Sequence, residues 1–332
     1  MALQENIEGL FKKISELRVG VIGDVMLDTY LWGHVERISP EAPVPVVSLD
    51  KNEHRVGGAG NVALNSVALA RRVSVISVTG DDEDAILLGA LLSKNGIDIT
   101  HLLKSAERIT TNKTRIISRN QQMLRVDAET TRYLNARDEQ RLIKAITKFI
   151  GAEKPQVLIL EDYNKGVLTE KVIAATISLA KKNKIVIAVD PKKQNFFSYR
   201  GADIFKPNVK EVQDGLNVSL EDANLLSLKN VHSELAGKLR HGISLITLSE
   251  KGVFYHNGKQ ARIIPSHVRN VADVSGAGDT VIAVASLVYA ASGNAHLMAE
   301  IANIAGGLVC EEVGTIAINA DKLVHECGLL MA

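Results

Sequence analysis

Residues 273–292 read DVSGAGDTVIAVASLVYAAS. Glycines at 276 and 278 let the backbone turn tightly and present bare N–H groups. The apolar run from Thr280 predicts a buried helix whose positive end faces that turn. Glycine turn and helix start together make an anion hole, with the Asp279 carboxylate placed to take a proton from an attacking hydroxyl. The same Gly-Ala-Gly-Asp would also serve as a plain helix cap, where Asp is favoured. The stretch lacks GxxxxGK[ST], so it is not a Walker P-loop, and it lies too late in the chain to open a dinucleotide-binding unit.

Upstream of it, short β-rich apolar runs alternate with amphipathic stretches: RVGVIGD (18–24), VSVISVTG (73–80), VLILED (157–162), IVIAVDP (185–191), DIFKPN (203–208) and SLITLSEKG (244–252). This rhythm predicts an α/β fold, a mostly parallel sheet covered by helices on both faces. Asp24, Asp162, Asp190, Asn208 and Ser249 close five of these runs, at the carboxyl edge where ligands of open α/β sheets bind. Residues 29–56 and 108–127 break the pattern. The first carries three of the seven prolines and the only tryptophan, and both alternate like strands. They predict a small β-sheet covering the crevice as a lid, within a single domain over 1–332.

With 39 basic against 38 acidic residues the formal charge is +1, which removes the broad electrostatic case for nucleic acid or an anionic membrane as partner. Any bound anion needs a local site. Cys310 and Cys327 have neither metal-ligand nor CxxC spacing, which fits a reducing compartment. MALQENIEGLFKKISEL at the start is an amphipathic helix pattern without the apolar core of a signal peptide. The longest apolar runs, such as VIAVASLVYAA (281–291), fall short of the roughly 18–20 residues a bilayer span needs. A cytoplasmic protein is the expectation.

DVSGAGDT (273–280) and VGGAGNVALN (56–65) resemble the two signatures of the ribokinase, or PfkB, family of carbohydrate kinases. More narrowly, GDVMLDTYLWG (23–33), RISPEAPVPVV (37–47), SRNQQMLRVD (118–127), DYNKG (162–166) and DPK (190–192) resemble the heptose 7-phosphate kinases of that family, in order along nearly the whole chain. The resemblance implies a ribokinase-like three-layer α/β/α sandwich with a β-sheet lid. It implies ATP-dependent phosphorylation of a heptose 7-phosphate at its C1 hydroxyl, with Mg²⁺ as cofactor. Kinases for another sugar, sugar phosphate or nucleoside share the signatures, and a catalytically silent sugar-phosphate sensor or scaffold would share the fold.

The resemblance also implies residue roles. Asp279 would deprotonate the acceptor hydroxyl while the N–H groups of Gly276, Ala277 and Gly278 stabilise the transferring phosphoryl group. Asp24, Asp28, Asn61 and Asp162 would meet the sugar, and Gly57 and Gly58 would let the backbone approach it. Arg119, Arg125, Lys165 and Lys192 are the candidates for the substrate phosphate, although isolated basic residues are usually solvated. Asn208, Val209, Lys210 and Glu211 would serve the nucleotide, with Asn208 and Glu211 handling Mg²⁺ through water; their spacing is equally that of a capping box. Ser249, Glu250 and Gly252 would contact the nucleotide, Asn303, Gly306 and Gly307 would line the adenine pocket, and Asp273 would bind a monovalent cation such as K⁺. Ser275, Glu161, Asn164 and the GGAGN variant of the glycine signature depart from the family pattern. A homodimer through the lid is implied, with APVPVV (42–47) as contact. Nothing in the sequence resembles an adenylyltransferase with an HxGH site; a stand-alone kinase served by a separate adenylyltransferase and one half of a bifunctional protein both fit.

Overall fold

Valine- and isoleucine-rich runs become strands buried on both faces, because successive side chains alternate across a sheet and helices cover each side. In β1 (Arg18–Gly23), Val19 and Val21 join the apolar core on one face and Ile22 the core on the other. The computed structural model describes residues 2–331 apart from Asn120, Glu221 and Val268. The remaining strands are β2 (Val25–Ile38), β3 (Pro45–Gly58), β4 (Arg72–Gly80), β5 (Asp98–Ser105), β6 (Thr111–Ser118), β7 (Gln121–Ala128), β8 (Val157–Glu161), β9 (Val186–Asp190), β10 (Ile204–Phe205), β11 (Ile243–Thr247), β12 (Val253–His256) and β13 (Ala261–Ile264).

The main sheet runs β13-β12-β11-β10-β9-β8-β1-β4-β5. From β11 to β5 every pairing is parallel, and β12 and β13 add an antiparallel edge. Helices Ala2–Ser15, Ala59–Val67, Ala277–Ser292, Ala295–Val309 and Ala320–Leu330 pack into one core; Ala136–Glu153, Glu170–Lys182 and Leu225–Leu239 pack into the other. This is the α/β architecture expected, with all six anticipated strands present. The DIFKPN run shrinks to two residues because Pro207 has no N–H to continue a ladder. The edge strands β5 and β13, and β12 beside β13, were not among the expected runs; β5 is interrupted by polar residues, and only two of its residues are buried. The amphipathic start forms a helix that buries Ile7, Leu10 and Ile14. No helix among the described residues is long and apolar enough to cross a membrane.

A second, smaller sheet has the order β3-β2-β6-β7. β2 pairs antiparallel with β3 and parallel with β6, and β6 pairs antiparallel with β7. Val25 to Tyr30 are buried, whereas β7 and the distal ends of β2 and β3 are exposed. The register places Arg55, Asp28, Lys113 and Asp127 in one cross-strand row, and Glu53, Tyr30, Arg115 and Arg125 in the next row on the same face.

Candidate active site

Gly276 caps the helix Ala277–Ser292 with φ +80, a left-handed conformation suited to glycine. A Cβ there would also lie 2.8 Å from Asn61 Nδ2, so the turn tolerates glycine for two reasons. Asp279, in the first turn, is buried. Its Oδ2 accepts from Asn61 Nδ2 at 2.7 Å and its Oδ1 from the Tyr163 hydroxyl at 2.8 Å. Asn65 braces this corner by donating to the Asn61 carbonyl and accepting from the Thr280 hydroxyl. Burial raises the Asp279 carboxyl to about 6, against the pull of the Asn61 and Tyr163 hydrogen bonds. The Ala277 N–H turns back to the Val274 carbonyl at 3.3 Å, which leaves Gly276 and Gly278 as the better anion donors of the expected three.

Behind this turn stand the ends of β8 and β9. Carboxylate oxygens of Glu161, Asp190 and Asp279 all lie within 4.8 Å of one another, and all three residues are buried. Lys206, also buried, pairs with Asp190 at 2.7 Å, and its Nζ would sit 3.6 Å from a Cβ on Gly278. A cation therefore underlies the anion hole, supplied by the KPN stretch after β10. Lys192 contacts Glu211 and lies 3.7 Å from Asp190, with its ammonium 5.3 Å from the Tyr163 ring centroid. Burial alone would lower the Lys192 ammonium, but Asp190, Glu211 and Glu161 together hold it above its ordinary value.

Asp24 stands at the expected strand end, buried, with its carboxylate taken up by backbone amides. Its Oδ2 accepts the backbone N–H groups of Tyr163 (2.8 Å) and Lys165 (3.0 Å), and its Oδ1 that of Val167 (3.1 Å). Burial and the nearby Asp162 raise this carboxyl to about 6, with the three amides pulling the other way. Asp162 is likewise enclosed, accepting from Tyr199 at 2.6 Å, Asn195 at 3.1 Å and the Asn164 N–H at 2.8 Å. The hydrogen bonds of these two aspartates fold the DYNKG loop, which carries Tyr163 against Asp279.

Asp28 comes from the small sheet, buried and paired with Arg115 at 2.6 Å. Any side chain at Gly57 would collide with Asp28 Oδ2, and Gly58, at φ +58, would collide with the Asp24 carbonyl. Arg55 and Arg115 both approach the Tyr30 ring, at 5.0 and 5.2 Å from its centroid. Arg55 also reaches the Val313 carbonyl at 3.3 Å, joining the small sheet to the loop beside the anion hole. Lys165 is paired with Glu129 at 2.7 Å. Arg125 is exposed and paired with Asp127, and Arg119 is exposed in the turn after β6. Ser118 pairs with Gly33, five residues along β2 from Asp28, which puts Arg119 roughly 17 Å from the Asp28 row at strand spacing.

The model of the pfkB family carbohydrate kinases matches residues 17–322. The chain belongs to that family. It is thus an ATP-dependent carbohydrate kinase. It is 39% identical over 326 residues to the bifunctional protein HldE of Geobacter sulfurreducens, covering 98% of this chain and 66% of that protein. The HldE of Aliarcobacter butzleri is 41% identical over 303 residues, covering 91% of this chain and 63% of that protein. The chain spans just under two thirds of these relatives. Among solved structures, phosphofructokinase-2 of Escherichia coli in complex with potassium shares the fold with a TM-score of 0.77 at 17% identity, over 94% of this chain and 99% of that one. Ribokinase of Arabidopsis thaliana, complexed with ribose and ATP, gives 0.70 at 15% identity, over 93% and 99%.

In this pfkB-family kinase the remaining expected residues take varied positions. Asn208 and Glu211 form a complete capping box at the start of the helix Val209–Leu216, with both reciprocal hydrogen bonds at 2.8 Å. Val209 and Lys210 open that helix, Lys210 exposed. Ser249 and Glu250 lie exposed in a short turn that Gly252 closes at φ +97, where a side chain would strike the Ile264 carbonyl. Asn303 donates to the Pro265 carbonyl at 2.9 Å. A Cβ on Gly306 would lie 2.7 Å from Val281, so this glycine admits close packing of two helices, while Gly307 adjoins the Arg269 guanidinium. Asp273 accepts the N–H groups of Ser275 and Gly314, each at 2.9 Å. Tyr163, Glu161, Lys206, Arg55 and Arg115 were not singled out from the sequence for roles in the site, although Tyr163 and Glu161 lie in or beside the quoted DYNKG motif.

Proposed function

We propose that this kinase transfers the γ-phosphoryl group of ATP to the C1 hydroxyl of D-glycero-β-D-manno-heptose 7-phosphate, giving the 1,7-bisphosphate for ADP-heptose and lipopolysaccharide-core synthesis. One observation carries the substrate assignment: the similarity to HldE proteins extends over 98% of this chain rather than over the signatures alone. Asp279 accepts the proton of the attacking hydroxyl, held by Asn61 and Tyr163. Tyr163 occupies one oxygen of the base, so its hydroxyl gives way or shares that oxygen as the sugar enters. The Gly276 and Gly278 N–H groups, with Lys206 below them, meet charge on the phosphoryl oxygens. Bound Mg²⁺ supplies neutralisation of the polyphosphate.

On this reading the small sheet is the lid, Asp28 binds sugar hydroxyls, and Arg55, Arg115 and Lys165 stand nearer than Arg119 to the sugar's own phosphate. Asp273 serves a monovalent cation, a reading supported by the potassium named with phosphofructokinase-2. Leu124 and Val126, exposed on one face of β7, are the contact of a homodimer through the lids. A cytoplasmic location follows from the substrates. ADP release measured over a panel of sugars tests the assignment: heptose 7-phosphate should give the highest kcat/KM, and faster turnover of fructose 6-phosphate or ribose would refute it.

A further inference from the structure

A general base has to meet the proton it takes at hydrogen-bond distance, yet both oxygens of Asp279 already have donors. A carboxylate oxygen can accept a second donor, but Asp279 is only 5% exposed, so an acceptor hydroxyl reaches it only when a neighbour moves. Asn61 is the fixed neighbour. It is fully buried in the helix Ala59–Val67, where Asn65 donates to its carbonyl at 2.9 Å and a Cβ on Gly276 would strike its Nδ2. Tyr163 is the movable one. It is half-buried, and the bond to Asp279 is its only side-chain hydrogen bond among the described residues. The loop beneath it is pinned, because Asp24 holds the N–H groups of Tyr163, Lys165 and Val167, and Asp162 holds that of Asn164. What can change is the rotamer of the side chain, with the backbone left in place.

We infer that Tyr163 is a positioning residue: its hydroxyl keeps the place of the acceptor hydroxyl on Asp279, excludes water from it while the sugar is absent, and swings aside when the sugar arrives. A phenol and a sugar hydroxyl are the same kind of donor, so the exchange replaces one O–H to carboxylate bond with another. A water in that place would be a nucleophile beside the same base. Asp279 would take its proton, its oxygen would bond to the γ-phosphorus as the bond to the ADP oxygen breaks, and ATP would be lost as ADP and inorganic phosphate. The phenol does not become a nucleophile in its turn. Burial, with Asp279 beside it, pushes the Tyr163 hydroxyl further above its ordinary value, so it keeps its proton and stays a donor. The inference rests on Asp279 being the base and not on which sugar is phosphorylated.

The test is ADP release by the full chain with Mg·ATP and no sugar. Tyr163→Phe removes only the hydroxyl and leaves room for a water at Asp279. Sugar-free hydrolysis should rise roughly tenfold or more, and should return to the parent's level in a Tyr163→Phe, Asp279→Asn double variant. A pH profile separates this role from packing. Asp279 also faces Glu161, Asp190 and Lys206, and Lys192 borders the Tyr163 ring, but the variant changes none of them. The tyrosine hydrogen bond pulls the Asp279 carboxyl down. Its loss should therefore move the acid limb of kcat/KM for the best sugar, which reports the enzyme before sugar binds, to higher pH. The acid limb of kcat, which reports the loaded enzyme, should coincide with the parent's, because there the hydroxyl has already left. No rise in hydrolysis, a rise that survives Asp279→Asn, or equal movement of both limbs would each overturn the inference and leave the base standing. Full sugar turnover in Asp279→Asn alone would remove the base, and this inference with it.

Discussion

Gly276 shows how one residue serves backbone and chemistry together. Gly276→Ala must hold a left-handed φ, costing about 1–2 kcal/mol, and press its methyl on Asn61, which holds the base. The expected result is a folded enzyme with a lowered urea midpoint and a kcat reduced tenfold or more. Normal turnover would show that Asn61 does not need its present position. Asp279 and its glycines were legible because their geometry is local, four residues of turn and helix. Tyr163 and Asn61 meet Asp279 across 116 and 218 residues, and no spacing in the chain announces such a contact. The hydrogen-bond partners of Asp24 are hidden for a related reason. A strand-end carboxylate looks the same in sequence whether it faces a ligand or three backbone amides.

At the level of elements, the central parallel strands were readable from their apolar runs, whereas the edge strands β5 and β13, with mixed polarity, were not. The NxxE spacing illustrates a pattern with two meanings. As a capping box it stabilises the start of its helix, and Asn208→Ala should cost about 1 kcal/mol, read as a urea midpoint shift; no shift would mean the cap is energetically idle. The edge made by the helix Leu225–Leu239, β11 and β12 holds a different device. His232 stacks on His256 at 3.7 Å, and His232 and His241 share the Ser244 hydroxyl at 2.9 and 2.6 Å. Burial, then neighbouring imidazoles, lowers both His232 and His241 to about 4. Below pH 6.5 the unfolded chain takes protons that these folded imidazoles refuse, so their contribution to stability is lost as pH falls towards 4. Asp24 and Asp279, raised to about 6, act in the opposite sense over the same window. The histidine share is isolated by His232→Gln, whose urea midpoint should fall less steeply than the parent's between pH 6.5 and 4. Parallel curves would remove the cluster from the acid limb.

Across the molecule, a layered sheet brings its strand ends together, and a second sheet carries rows of charge on one face. The exposed Leu124 and Val126 should hold two such sheets together, so a Leu124→Asp, Val126→Asp double variant should sediment as a monomer where the parent sediments as a dimer. A parent already monomeric would remove that interface. The layers were legible because hydrophobic period reports burial; the charge rows on the small sheet were not, since they depend on register between strands distant in sequence. The most direct measurement for the whole account is the turnover of Asp279→Asn with heptose 7-phosphate and Mg·ATP, alongside calorimetric binding of the sugar. Loss of a general base predicts a kcat lower by about 10²–10⁴ with sugar affinity kept within a few fold. Undiminished kcat in a variant that binds normally would contradict the role of Asp279.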